Sequence, residues 1–132
     1  MRLRKLCTFG LIGAAAALPA PAPALTVTLA ECGEGADFIR NAALSRDNGL
    51  RGDAFLERLE GDFVAIRTIR PELRWFARDP EDEALLRDAS VAVFALPRPA
   101  DEHRRDFLAA CRATVAAAAA DRSRAAAADT TR

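Results

Sequence analysis

The stretch Asp53-Ala54-Phe55-Leu56-Glu57-Arg58-Leu59-Glu60-Gly61-Asp62-Phe63-Val64-Ala65-Ile66, followed by Arg67-Thr68-Ile69-Arg70 and then Pro71, decides the fold class. Phe55, Leu56, Leu59, Phe63, Val64 and Ile66 recur at helical spacing and make one apolar stripe, with Arg58, Glu60, Asp62 and Arg67 off it. Asp53 is a good N-cap for such a helix. Gly61 inside it costs about 1 kcal/mol relative to alanine, which points to a close approach by a neighbouring helix.

Upstream, residues 36–48 predict a first helix with Phe38, Ile39, Ala42, Ala43 and Leu44 on its apolar side. Asn48-Gly49 is its stop signal, because both residues tolerate the left-handed conformation that ends helices. Leu50 would fold back on the last turn. Residues 31–35 carry two glycines and read as a connection, and residues 25–29 as a short extended arm.

Downstream, Pro71 ends the central helix and starts a short helical turn over residues 71–77, where Leu73, Trp75 and Phe76 concentrate apolar area, two of them aromatic. Asp79-Pro80-Glu81-Asp82-Glu83 is a helix start: a cap, a proline at the first position, and acids facing the positive end of the dipole. That helix is predicted to run to about Leu96, with Leu85, Leu86, Ala89, Val93 and Phe94 inward, although Val91-Ala92-Val93-Phe94 has some strand propensity. Pro97-Arg98-Pro99 breaks the chain again. Asp101 can cap a last helix that places Phe107, Leu108, Cys111 and Val115 on one face. Four helical segments with short links predict an all-α bundle of about four helices. The helical domain is expected over residues 25–115. Residues 116–132 form an alanine-rich tail without an apolar stripe, expected as a frayed helix or as disordered chain.

Residues 1–24 read as a signal peptide. Met1-Arg2-Leu3-Arg4-Lys5 is basic, residues 6–18 are apolar, and Pro19-Ala20-Pro21-Ala22-Pro23-Ala24 is small and breaking. The apolar run is shorter than the ~20 residues of a spanning helix, so no permanent membrane span is expected after processing. Ala24/Leu25 is the favoured cut, and Ala30/Glu31 the second. Without residues 1–24 the chain loses three of its 19 basic residues and none of its 19 acids, which leaves a net charge of −3. That balance argues against a nucleic-acid partner. Arginine without lysine, with abundant alanine and proline, suits a bacterial protein exported to the periplasm or secreted.

Cys7 leaves with the leader. Cys32 and Cys111 remain, and in an oxidising compartment one pairing is possible. A redox-active pair would need the close C-x-x-C spacing that lowers a thiol pKa, and these two stand far apart. The expected bridge is structural.

Few residues suggest chemistry. His103, the single histidine, has no partner at a recognisable metal or hydrolase spacing and is read as exposed in the first turn of the last helix. The acids at 79–83 lack the alternation and central glycine of a calcium loop and read as a solvated helix start. No metal site and no cofactor are expected, since phosphate-loop, nucleophile-elbow and haem-attachment motifs are missing. The most suggestive group is Arg67, Arg70, Arg74 and Arg78 with Trp75. The four arginines lie close together on a helical wheel, and arginine with tryptophan is a common interface mixture. An acidic protein or ligand partner would fit this face, whereas ordinary pairing with Glu60, Glu72 or Asp82 would leave it a plain surface.

Cys32, Arg46-Asp47-Asn48-Gly49, the helix with Phe55-Leu56 and Leu59, and Cys111 together form a C…R-D-x-G…C layout. The layout resembles that of small exported helical proteins of bacteria and spans residues 32–111. The resemblance implies an exported, disulfide-bonded, all-α domain and no catalytic residues. The reading that follows is a non-enzymatic module binding a protein or small ligand. A small hydrolase-like enzyme using His103, or a structural envelope component, stands as the alternative.

Overall fold

A computed structural model describes residues 26–130. The signal peptide assigned to residues 1–24 lies outside the described residues. The described residues are all-α, with four packed helices: α1 (Leu29–Asp47), α2 (Gly52–Ile66), α3 (Pro80–Ala95) and α4 (Ala100–Thr130). A single 3₁₀ turn, Pro71–Leu73, lies between α2 and α3.

The first helix begins seven residues earlier than the sequence reading placed it, so residues 31–35 are helical rather than a connection. The reason is a capping box. Thr28 accepts a hydrogen bond from the Glu31 backbone N–H, and the Glu31 carboxylate accepts one from the Thr28 N–H. This reciprocal pair satisfies two otherwise orphaned donors and outweighs the two glycines. Gly33 faces open space. Gly35 is inside, and a Cβ there would stand 2.7 Å from the Phe76 ring and 2.8 Å from Phe107. The close approach predicted for Gly61 therefore belongs to Gly35, because nothing lies within 4 Å of a Cβ built at Gly61. At the other end of α1, Gly49 takes φ +91° and the Leu50 N–H bonds the Ser45 carbonyl, as expected of the stop signal.

In α2, Arg51 rather than Asp53 is the N-cap residue, and Asp53 sits in the first turn paired with Arg51. Leu59 and Phe63 are buried, but Val64 is 61% exposed and leaves the predicted stripe. The helix docks by rings: Phe38, Phe55 and Phe94 follow one another with centroids 6.0 and 5.3 Å apart. In α3, Asp79 caps as predicted by accepting from the Asp82 N–H at 2.9 Å, with Pro80 in the first turn. Residues 91–94 are helical despite their strand propensity.

Helix α4 packs chiefly on α1, and the Cys32–Cys111 disulfide joins these two helices with both sulfurs fully buried. The core between them contains Ala36, Ile39, Ala43, Phe76 and Phe107. Val27 of the N-terminal arm belongs to the same core. Past Val115 the helix continues to Thr130 with its side chains almost wholly exposed. No helix among the described residues is long and apolar enough to cross a membrane.

Two substitutions separate the glycines. Gly35→Ala is expected to destabilise the domain by about 1–3 kcal/mol through overpacking against Phe76 and Phe107. Gly61→Ala should stabilise it by ~0.5–1 kcal/mol through helix propensity alone. Urea unfolding of the oxidised protein measures both. In the same assay, replacing both Cys32 and Cys111 by serine should cost about 4 to 5 kcal/mol in the chain-entropy account of a loop this long.

Candidate functional site

Between α2 and α3 the chain makes an irregular loop, and four of the five predicted partner-binding residues lie in it, with Arg67 at its edge. Pro71 cannot continue α2, so the backbone carbonyls of the loop need other donors. Arg74 supplies them. Its Nε donates to the Ile69 carbonyl at 2.7 Å, Nη2 to Arg67 at 3.0 Å and Nη1 to Arg78 at 3.1 Å. One guanidinium thus holds both ends of the loop. Phe76 then turns through the left-handed region, φ +56°, and its ring is fully buried against Phe107 at 6.0 Å. That conformation is uncommon for a bulky side chain and needs support from its surroundings. Here the support is the core slot opposite Gly35.

The other predicted residues divide in two. Arg67 and Arg78 are tied to carboxylates: Arg67, itself half exposed, makes a two-pronged pair with the buried Glu83, and the partly buried Arg78 makes one with Glu31. Arg70 faces solvent with a loose 3.5 Å contact to Glu72. The Trp75 indole donates to Glu34 of α1, and its ring lies on Phe76 at 5.4 Å while remaining 40% exposed. Ile69 and Leu73 beside it are 45% and 63% exposed. The loop is therefore fixed from within by Arg74, Phe76 and Arg78, and it presents Ile69, Arg70, Leu73 and Trp75 outward.

Glu31 anchors this arrangement. Burial opposes its ionisation, but hydrogen bonds from Arg78, from the Thr28 N–H and hydroxyl, and from the Phe76 N–H overcome that cost and lower its pKa from 4.5 to about 2. Beside it Asp82 is fully buried, not solvated as read from the sequence. It accepts from the Thr26 N–H at 3.1 Å, the Thr26 hydroxyl at 2.6 Å and the Arg78 N–H at 3.1 Å. Glu83 is buried as well. Asp82 and Glu83 of the acidic run are thus engaged by the arm, the loop and Arg67, and Asp79 by the first turn of α3. Among the described residues no cluster of histidine, cysteine or acids could hold a metal ion.

His103 is also buried rather than exposed. Since α4 begins at Ala100, residues 103, 107 and 111 share its inward face, and the imidazole follows Phe107 and Cys111 into the domain. Its Nε2 lies 2.9 Å from the Leu96 carbonyl and 3.4 Å from Arg46. No carboxylate among the described residues hydrogen-bonds it. It lines a recess of about 260 Å³ between α1, α3 and α4, walled by Ile39, Leu85, Ala89, Ala92 and Phe107, with Asp88 and the Arg98–Asp106 ion pair at the mouth.

One structural role was not drawn from the sequence. Arg46 donates to the Val93 carbonyl at 2.7 Å and the Arg98 carbonyl at 2.8 Å, closing the C-terminal end of α3, while Asp47 holds its guanidinium at 2.7 Å. The Arg-Asp-Asn-Gly pattern is thus a cap for a different helix from the one it ends.

No family model matches the chain, and neither a curated protein nor a solved structure matches it.

The Glu31 shift fixes the sign of an acid effect. Its folded pKa is depressed, so its contribution is complete above the unfolded value near 4.5 and is lost as pH falls toward about 2. That contribution is ~3 kcal/mol. Unfolding free energies measured from pH 6 down to pH 2 should fall through this window, and Glu31→Gln should flatten that limb while lowering stability at pH 6.

Proposed function

We propose that this chain is an exported, non-enzymatic binding module that engages a protein partner through the loop between α2 and α3. The observation that carries the proposal is the loop itself. Three large apolar side chains and one weakly paired arginine are exposed within seven residues, on a backbone immobilised by the three hydrogen bonds of Arg74.

Ordering a flexible loop at an interface costs free energy on association, and a loop ordered beforehand avoids that cost. Tryptophan and arginine are the residue types that dominate interface energetics. The partner surface that fits is apolar, with an acidic group opposite Arg70. The contact comprises Ile69, Arg70, Leu73 and Trp75 and not the whole arginine face, because Arg67, Arg74 and Arg78 are engaged within the domain. A compartment outside the cytoplasm is supported by the leader-like N-terminus and by the buried disulfide, since such bridges persist in oxidising surroundings.

A second reading rests on the apolar recess beside His103, which suits a small apolar ligand. The two separate by substitution. Leu73→Asp and Ala92→Leu variants of the oxidised protein would be compared with wild type in capture from envelope extract. Under the loop reading, a partner retained by wild type is lost by at least tenfold with Leu73→Asp and kept with Ala92→Leu. Leu73→Asp should leave thermal unfolding within ~0.5 kcal/mol of wild type, as expected of an exposed surface position. Loss with Ala92→Leu alone would favour the recess.

A further inference from the structure

Three residues that precede α1 are built into the domain. Val27 is 4% exposed and lies in the core. Thr28 closes the capping box of α1, and its carbonyl accepts from the Cys32 N–H at 3.0 Å. Thr26 reaches furthest, to the fully buried Asp82 at the start of α3. Its N–H is the hydrogen-bond donor to Asp82 Oδ1, and its hydroxyl bonds Oδ2.

These contacts bear on where an exported chain is cut. The sequence offers two sites with small residues at the recognition positions, Ala24/Leu25 and Ala30/Glu31. Cleavage at the second would remove Thr26, Val27 and Thr28 together. Asp82 Oδ1 would lose its partner inside the protein, and Oδ2 would keep the Arg78 N–H alone. A buried carboxylate oxygen without a donor is strongly disfavoured. The core would lose Val27, and Glu31 would lose both its Thr28 donors. The bridged Cys32 would stand one residue from the new terminus.

We infer that residues 26–28 are an obligatory part of the mature domain and that processing occurs on the N-terminal side of Thr26, which leaves Ala24/Leu25 of the two cuts that the sequence offers. The inference rests on the export reading above, and its test keeps the two apart. Full-length protein would be expressed in a secreting bacterial host, recovered from the envelope fraction, and read by N-terminal sequencing and intact mass. The expected mature chain begins at Leu25. A chain beginning at Glu31 would overturn the inference and leave export standing, whereas one beginning at Met1 would overturn export and the inference with it.

Two proteins check the physical basis. Relative to the oxidised chain 25–132, the oxidised chain 31–132 should melt at least about 10 °C lower or fail to fold, and Thr26→Val in the longer chain should lower melting by ~4–8 °C. Equal melting of all three would sink the claim that the arm is structural.

Discussion

The carboxylate of Glu31 is the point on which the rest of this domain depends. It is buried beside the disulfide and receives hydrogen bonds from three separate parts of the chain: Thr28 before α1, Phe76 in the loop, and Arg78 at the entry to α3. A charge in such a place is tolerable when every lone pair is matched, and this one collects five donors. The consequence is geometric. Thr28 before α1, the Phe76 backbone and Arg78 before α3 cannot shift independently, because each donates to the same carboxylate.

Around this centre the division of labour among arginines becomes intelligible. With no lysine after residue 5, planar five-donor groups serve as the internal ties. Arg74 gathers loop carbonyls, Arg46 gathers carbonyls at the end of α3, and Arg67 and Arg78 fork onto buried acids. A helical-wheel view of Arg67, Arg70, Arg74 and Arg78 anticipated a shared face. Pro71 broke the helix that would have made the face; the broken backbone is satisfied by Arg74, while Arg67 and Arg78 turn to the carboxylates of Glu83 and Glu31. Arg70, with no buried carbonyl or acid in reach, was left outside.

Much of the fold could be read from the residues in order. Period, proline and capping signals located α2, α3 and the docked half of α4, and two cysteines in a small domain indicated the bridge. Most of the misreadings share a cause: they turned on a neighbour distant in sequence. Whether Gly35 or Gly61 meets another element depends on where Phe76 and Phe107 arrive. Whether Asp82 is solvated depends on Thr26, 56 residues away. Two signals were present and local. Thr28 and Glu31 have capping-box spacing, and His103, Phe107 and Cys111 fall at intervals of four, which should have placed the imidazole inward. The outward loop residues were only half legible, since Trp75 was noticed while Ile69 and Leu73 look in sequence like ordinary core material.

The 31 residues of α4 make a rod of roughly 46 Å at 1.5 Å per residue, and only its first half is docked. An isolated alanine helix must first form a costly nucleus, whereas one that continues from a packed helix begins with the nucleus in place. The distal half therefore borrows its nucleus from the docked half but gains almost no packing of its own, so its hydrogen bonds open more easily than those of the disulfide-tied half. A single helix thus has two levels of local stability, and the boundary between them falls near Val115.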